Sequence, residues 1–184
     1  MTIYFKKINL NIDNHNLDIR KLKGNKLFDY GAICYYDILD DEYYNDIFSG
    51  VFIVPPVKRF YVEAKDKLNP HRDNGAISCL NLYIGPQNYT TNFWEEKENA
   101  RRISGHRYDP VTNKYTEVNL AYVRDDLNLV DSFTAQNNEA YLLNIGEIHS
   151  VDGDRQLLPR VMLQFQWNMT IEEMIEQLGF QYVL

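Results

Sequence analysis

Cysteine is nearly absent from this chain, with only Cys34 and Cys79 among 184 residues, too few for a disulfide framework. Long apolar runs are missing too: no window reaches about 18 consecutive apolar residues, which excludes a membrane-spanning helix. The opening stretch MTIYFKKINLNID lacks the uninterrupted apolar segment of a secretory signal. These absences predict a protein of a reducing compartment, the cytoplasm, with no membrane partner. Positive charge is in deficit, with 19 basic against 26 acidic side chains and a net charge of −7. Such a field repels a polyanion unless basic residues gather in one groove. Arg20, Lys21 and Lys23, and Arg101 with Arg102, are the nearest candidates and read as solvated surface. Nucleic acid is a minor option as partner. Glycine and proline are scattered, and no repeat recurs at solenoid or propeller periods, so one domain is expected over residues 1–184.

What the chain does have is 45% hydrophobic residues, with aromatics making up 14% of the chain, enough for a sizeable core without staples. Short apolar and aromatic runs recur between turn-forming clusters, the pattern of an all-β dominated sandwich or barrel with few helices. Strands are predicted near Val51–Val54, Arg59–Lys65, Ile77–Ile84, Asn92–Glu95, Tyr115–Val123, Ala140–Asn144 and Arg160–Asn168. Turns are predicted at Pro55-Pro56, Asn74-Gly75, Gly85-Pro86, Asp109-Pro110, Asn137-Asn138 and Asp152-Gly153. Thr170-Ile171-Glu172-Glu173 reads as a capping box that opens a helix ending near Gly179. Tyr35–Phe48 is read as a second helix and Trp94–Arg102 as a short third.

The stretch Asn69-Pro70-His71-Arg72-Asp73-Asn74-Gly75 carries the first chemical signal. Residues two apart in an extended chain point the same way, so His71 and Asp73 can present an imidazole and a carboxylate to one point. Both are sound ligands for a divalent transition metal. Alone the pair means little, because four His and this Asp content produce a His-x-Asp about one time in three. A turn in which Asp73 caps its own loop amides is the plain alternative. The second signal lies 76 residues on, where the apolar run Ala140–Asn144 is followed by Gly146 and a short strand with His149. If the two segments adjoin in a rolled sheet, His149 completes a set of two His and one carboxylate with open metal positions. The third is Arg160–Trp167, where alternation sorts Arg160, Met162, Gln164 and Gln166 onto one face and Val161, Leu163, Phe165 and Trp167 onto the other. The apolar face is core, so the polar one lines solvent or a wet cavity. Arg160 there suits bidentate capture of a carboxylate.

His71-x-Asp73, His149 and the downstream Arg160 resemble the signature of the Fe(II)/2-oxoglutarate-dependent dioxygenases, nearest to the hydroxylases of prolyl and aspartyl/asparaginyl side chains. The resemblance covers residues 59–168, with 1–58 as a supporting N-terminal segment and 169–184 as a C-terminal helix and tail. It implies a double-stranded β-helix (a cupin-like jelly roll) with a few flanking helices. It also implies Fe(II) held by His71, Asp73 and His149, and 2-oxoglutarate whose far carboxylate pairs with Arg160. Oxygen is then consumed, the cosubstrate decarboxylates to succinate, and an unactivated C–H bond is hydroxylated. The expected substrate is an amino-acid side chain in a peptide, a protein or a free amino acid, with a small molecule as the other option. Family members often place a polar or phenolic group of the Ile77–Ile84 strand on the cosubstrate, which points to Tyr83 and then Asn81. Met162 departs from the pattern, because many members carry a small hydroxyl residue two after the arginine. Trp94–Tyr115 lies where the family often inserts a substrate-covering loop.

Two rivals remain open from the sequence: a cupin-type metal enzyme without 2-oxoglutarate, though such enzymes usually present His-x-His and a Glu, and a non-catalytic β-sandwich. His15 and His106 read as surface. Cys34 and Cys79 read as small buried hydrophobes, and Phe93 and Trp94 as core or pocket wall.

Overall fold

Alternating apolar residues commit about half of the chain to strands in a computed structural model. It describes residues 2–10, 12, 17–73, 76–85, 88–109, 114–153 and 159–178, with the backbone alone at 106–109, 114–120 and 178. The first part of the chain forms β1 (Phe5–Ile8), α1 (Ile19–Leu22), β2 (Lys23–Asp29), β3 (Ile33–Ile38), α2 (Asp41–Phe48), β4 (Lys58–Ala64) and β5 (Leu68–His71). There follow β6 (Ser78–Ile84), β7 (Thr90–Glu96), β8 (Arg102–Asp109), β9 (Lys114–Tyr122), β10 (Leu127–Thr134), β11 (Ala140–Asn144), β12 (Ile148–Asp152), β13 (Arg160–Trp167) and α3 (Ile171–Leu178).

A seven-stranded sheet has the order β1-β11-β6-β13-β4-β3-β2, and a four-stranded sheet the order β10-β7-β12-β5. Strands β8 and β9 make a separate two-stranded ribbon. From β4 onward, β4, β6, β11 and β13 join the large sheet while β5, β7, β10 and β12 join the small one, so the chain passes repeatedly between the two. Residues before 58 extend the large sheet at both margins, through β1 on β11 and β3 on β4.

The large sheet is covered on both sides, which is why β6 is buried along nearly its whole length. Its outer face carries Leu80, Leu82, Leu163, Phe165 and Trp167 against Leu22, Tyr44 and Phe48 from the first two helices and Ile171 and Met174 from α3. The inner face carries Val62, Cys79, Tyr83 and Met162 against Phe93 and Phe133 of the small sheet. Arg160, Asn81 and Gln164 are buried on this inner side as well.

Several elements differ from expectation. Val51–Val54 is no strand: the Val51 amide turns back to the Phe48 carbonyl at 3.1 Å, Val54 accepts the Trp167 indole N–H at 3.0 Å, and Phe52 lies on Phe165 and Trp167. The run is apolar because it covers that aromatic pair. Tyr35–Phe48 divides into the end of β3 and α2. The break is at Asp40, whose carboxylate accepts from the Tyr43 amide at 2.9 Å as an N-cap. Trp94–Arg102 is not helical, since β7 continues to Glu96 opposite Leu127. Trp94–Tyr115 is therefore no simple loop but strand end, turn and ribbon. The capping box is formed in both directions, Thr170 Oγ1 accepting from the Glu173 amide at 3.2 Å and Glu173 accepting from the Thr170 amide at 2.7 Å. Asn138 has φ of 65°, as a tight turn at Asn137-Asn138 requires. Asn74, Gly75, Pro86, Pro110 and Gly179 lie outside the described residues. Among the described residues no helix is long and apolar enough to cross a membrane.

Candidate metal centre and its buried arginine

His71 closes β5 and His149 is the second residue of β12, and the two are register partners across the antiparallel ladder. Directly opposed residues share a face, and the rings stand 4.5 Å apart between centroids. Asp73 follows where the chain leaves β5, its amide anchored to the Ile145 carbonyl at 3.0 Å. Its Oδ1 lies 3.4 Å from His71 Nε2 and 4.0 Å from His149 Nε2. One donor atom from each of the three lies within 4.8 Å of the others, the spacing of a group that can hold a metal ion.

The ring orientations are set from behind. His71 Nδ1 contacts the Asn69 carbonyl at 2.7 Å and His149 Nδ1 the Glu147 carbonyl at 2.9 Å. A carbonyl only accepts, so each Nδ1 carries a proton, which in the neutral ring leaves the Nε2 lone pair for the shared point. The outer side of β12 is fixed separately. Asp152 accepts from Arg124 at 2.6 and 2.8 Å and from Asn92 at 2.7 Å, and the Trp94 indole donates to Ser150 at 2.9 Å.

Electrostatics sort the three groups. Burial pulls His71 toward its neutral form, but Asp73 and the Asn69 carbonyl outweigh it and raise its pKa above the ordinary value. Burial, together with the neighbouring His71, pushes His149 down to about 4. Burial also disfavours the Asp73 anion, yet the two imidazoles more than reverse this and hold its pKa below the usual value. At neutral pH Asp73 is anionic and His149 neutral, the forms a metal requires. Two imidazoles and one carboxylate on one side fit a divalent first-row ion and leave coordination positions free.

Arg160, the first residue of β13, is 1% exposed. Its Nη1 and Nη2 both donate to Thr91 Oγ1 at 3.0 Å, and its Cζ stands 4.3 Å from the centre of the Tyr83 ring. Its Nε is buried without any hydrogen-bond partner. Among the described residues no carboxylate pairs with it. A buried cation without an anion is costly, and among the described residues none offsets it. Thr91 pairs with Val151, two residues beyond His149, and Phe93, two beyond Thr91, pairs with His149. Arginine and metal group therefore face the same interior, about 7 Å apart along the strand direction.

Tyr83 and Asn81 share the face of Arg160, opposite Met162 and Gln164 in register. Asn81 Nδ2 donates to the Tyr83 hydroxyl at 3.3 Å. Burial raises the Tyr83 pKa despite the opposing pull of Arg160. Cys79 also lies on this polar face, its thiol 3.7 Å from Asn81 Oδ1 and 3.9 Å from Gln164 Nε2, so it is a link in a polar row rather than a plain hydrophobe. All six site residues singled out in the sequence thus belong to one interior.

Thr91 escaped sequence reasoning. The expected strand began at Asn92, one residue too late, and alternation from the inward Phe93 is the signal that would have placed Thr91 inward. His15 and the His106 side chain lie outside the described residues. No protein-family model matches this chain, and no curated protein matches it.

Proposed function

We propose that the protein is an Fe(II)- and 2-oxoglutarate-dependent oxygenase that hydroxylates an unactivated C–H bond, with an amino-acid side chain of a peptide, protein or free amino acid as substrate. The observation that carries this reading is a two-histidine, one-carboxylate group in the same interior as a buried arginine that has no acidic partner among the described residues. The alternation of eight strands between two sheets supports a double-stranded β-helix as the frame.

His71, Asp73 and His149 would hold the iron, and Arg160 the far carboxylate of the cosubstrate. Iron, cosubstrate and oxygen together supply the oxidising power when bound. The chain's own residues bind, orient and exclude water. The Asn69 and Glu147 carbonyls fix both imidazole tautomers, and Asp73 brings the negative charge that favours a cation. Arg160 draws one end of a dicarboxylate into the interior, where Tyr83 and Asn81 sit beside it. Phe93 and Met162, both buried, keep that interior dry.

The test is an anaerobic titration of metal-free protein with Fe(II) and then 2-oxoglutarate, following the visible metal-to-ligand charge-transfer band. A band is expected in the wild type, no band in His71→Ala, and in Arg160→Ala a band only at a cosubstrate concentration at least about thirtyfold higher. Iron binding without a band would favour a cupin-type enzyme that does not use 2-oxoglutarate. Absence of iron binding would leave a non-catalytic β-sandwich.

A further inference from the structure

A guanidinium has five N–H groups in a rigid plane and can meet a carboxylate end-on, through both Nη, or side-on, through Nε and one Nη. In this protein the end-on position is taken. Thr91 Oγ1 accepts from Nη1 and Nη2 at the same 3.0 Å, so it sits on the axis of the fork. The Tyr83 ring lies close to Cζ. What stays unpaired is the side edge, where Nε is buried without a hydrogen-bond partner.

From this we infer that Thr91 is a positioning residue. By occupying the end of the Arg160 fork from the opposite sheet, it fixes the plane of the guanidinium and directs its side edge to a single planar carboxylate. The inference rests on Arg160 being the anchor of the cosubstrate carboxylate. It also accounts for Met162: the hydroxyl expected two residues after the arginine on the same strand is provided instead across the interior, by β7. A thioether cannot orient a cation in this way, and Met162 faces Tyr83 in register. One unpaired edge and no second cation buried beside it, among the described residues, match a planar monoanion better than a tetrahedral dianion.

The experiment compares wild type, Thr91→Val and Thr91→Ser, each loaded anaerobically with Fe(II) and titrated with 2-oxoglutarate, with iron affinity and thermal midpoint measured alongside. Thr91→Val should need roughly tenfold more 2-oxoglutarate for half the band while binding iron as the wild type does, because a hydrogen bond to a charged group is lost. Thr91→Ser should come back to within about twofold, since it keeps the oxygen. Inorganic phosphate in excess should leave the wild-type titration unchanged. Wild-type cosubstrate affinity in Thr91→Val, failure of Thr91→Ser to restore it, or competition by phosphate would each overturn the proposal while leaving the oxygenase reading intact. An iron-loaded wild type that gives no band removes the oxygenase reading and this proposal with it.

Discussion

Leu163, Phe165 and Trp167 on one face of β13, and Arg160, Met162 and Gln164 on the other, are buried to nearly the same depth. The first set meets other side chains at every surface: Phe165 lies within 4.9 to 6.1 Å of Tyr44, Phe48 and Phe52, centroid to centroid. The second set holds a cation with no anion beside it among the described residues, and a buried N–H without an acceptor. Equal burial therefore does not mean equal contribution to stability. The outer face holds the sheet to its helices through apolar burial. The inner face instead buries polar and charged groups, Arg160, Asn81 and Gln164 among them, and the proposed function gives these a ligand between the sheets.

The comparison is sharpest for substitutions on the two faces. Phe165→Ala should lower stability by about 3 to 5 kcal/mol in chemical denaturation, with iron affinity of the folded fraction unchanged. Metal acts on the inner face alone: Fe(II) at about a hundred times its dissociation constant should stabilise the wild type by about 2.7 kcal/mol and leave His149→Ala unmoved, read as thermal midpoints with and without chelator. The same binding should depend on pH in a defined way. His71, with its raised pKa, still holds a proton in mildly acid solution, whereas His149, at about 4, holds none. Metal binding there should displace about one proton rather than two, so affinity rises about tenfold per pH unit and levels off above the His71 pKa. A slope of two would show that both rings are protonated.

Arg160→Met should leave metal-free stability unchanged or raise it by up to about 2 kcal/mol, because an unpaired buried charge is replaced by an apolar chain. It should weaken cosubstrate binding at the same time, by at least about thirtyfold as in Arg160→Ala. A marked loss of stability would mean that the inner face is structural after all and would erase the contrast. The smallest effect is expected far from either face. Thr170→Ala removes one half of the α3 capping box and should cost about 1 kcal/mol in denaturant titrations, with no change in iron or cosubstrate affinity.

Much of this division was legible in the amino-acid order. Strict alternation from Arg160 to Trp167 separates the two faces without any coordinates, and the Thr170–Glu173 spacing marks the start of α3. His71, Asp73 and His149 could be proposed as a set, but only the ladder that puts His71 opposite His149 makes them one. What could not be read depends on long-range pairing. Val51–Val54 has the composition of a strand, yet Val51 is buried, Phe52 lies on Phe165 and Trp167, and Ile53 is exposed. Residues 35–38 look helical in company with Asp41–Phe48, and they become a strand because β4 lies beside them. Thr91 carries no local mark of its role, because a threonine in a strand is ordinary until an arginine from another sheet reaches it.

Strand β5 is the margin of the small sheet, four residues long, and its ladder to β12 has two register pairs with an irregularity between them. An ion held jointly by His71 and His149 would tie that margin down across a loop of about eighty residues. In chain-entropy terms, closing such a loop with a disulfide is worth about 4 kcal/mol. A chain whose two cysteines are both free and buried would thus gain a reversible staple from a bound ion, and the short β5–β12 seam of the small sheet would be drawn shut by it.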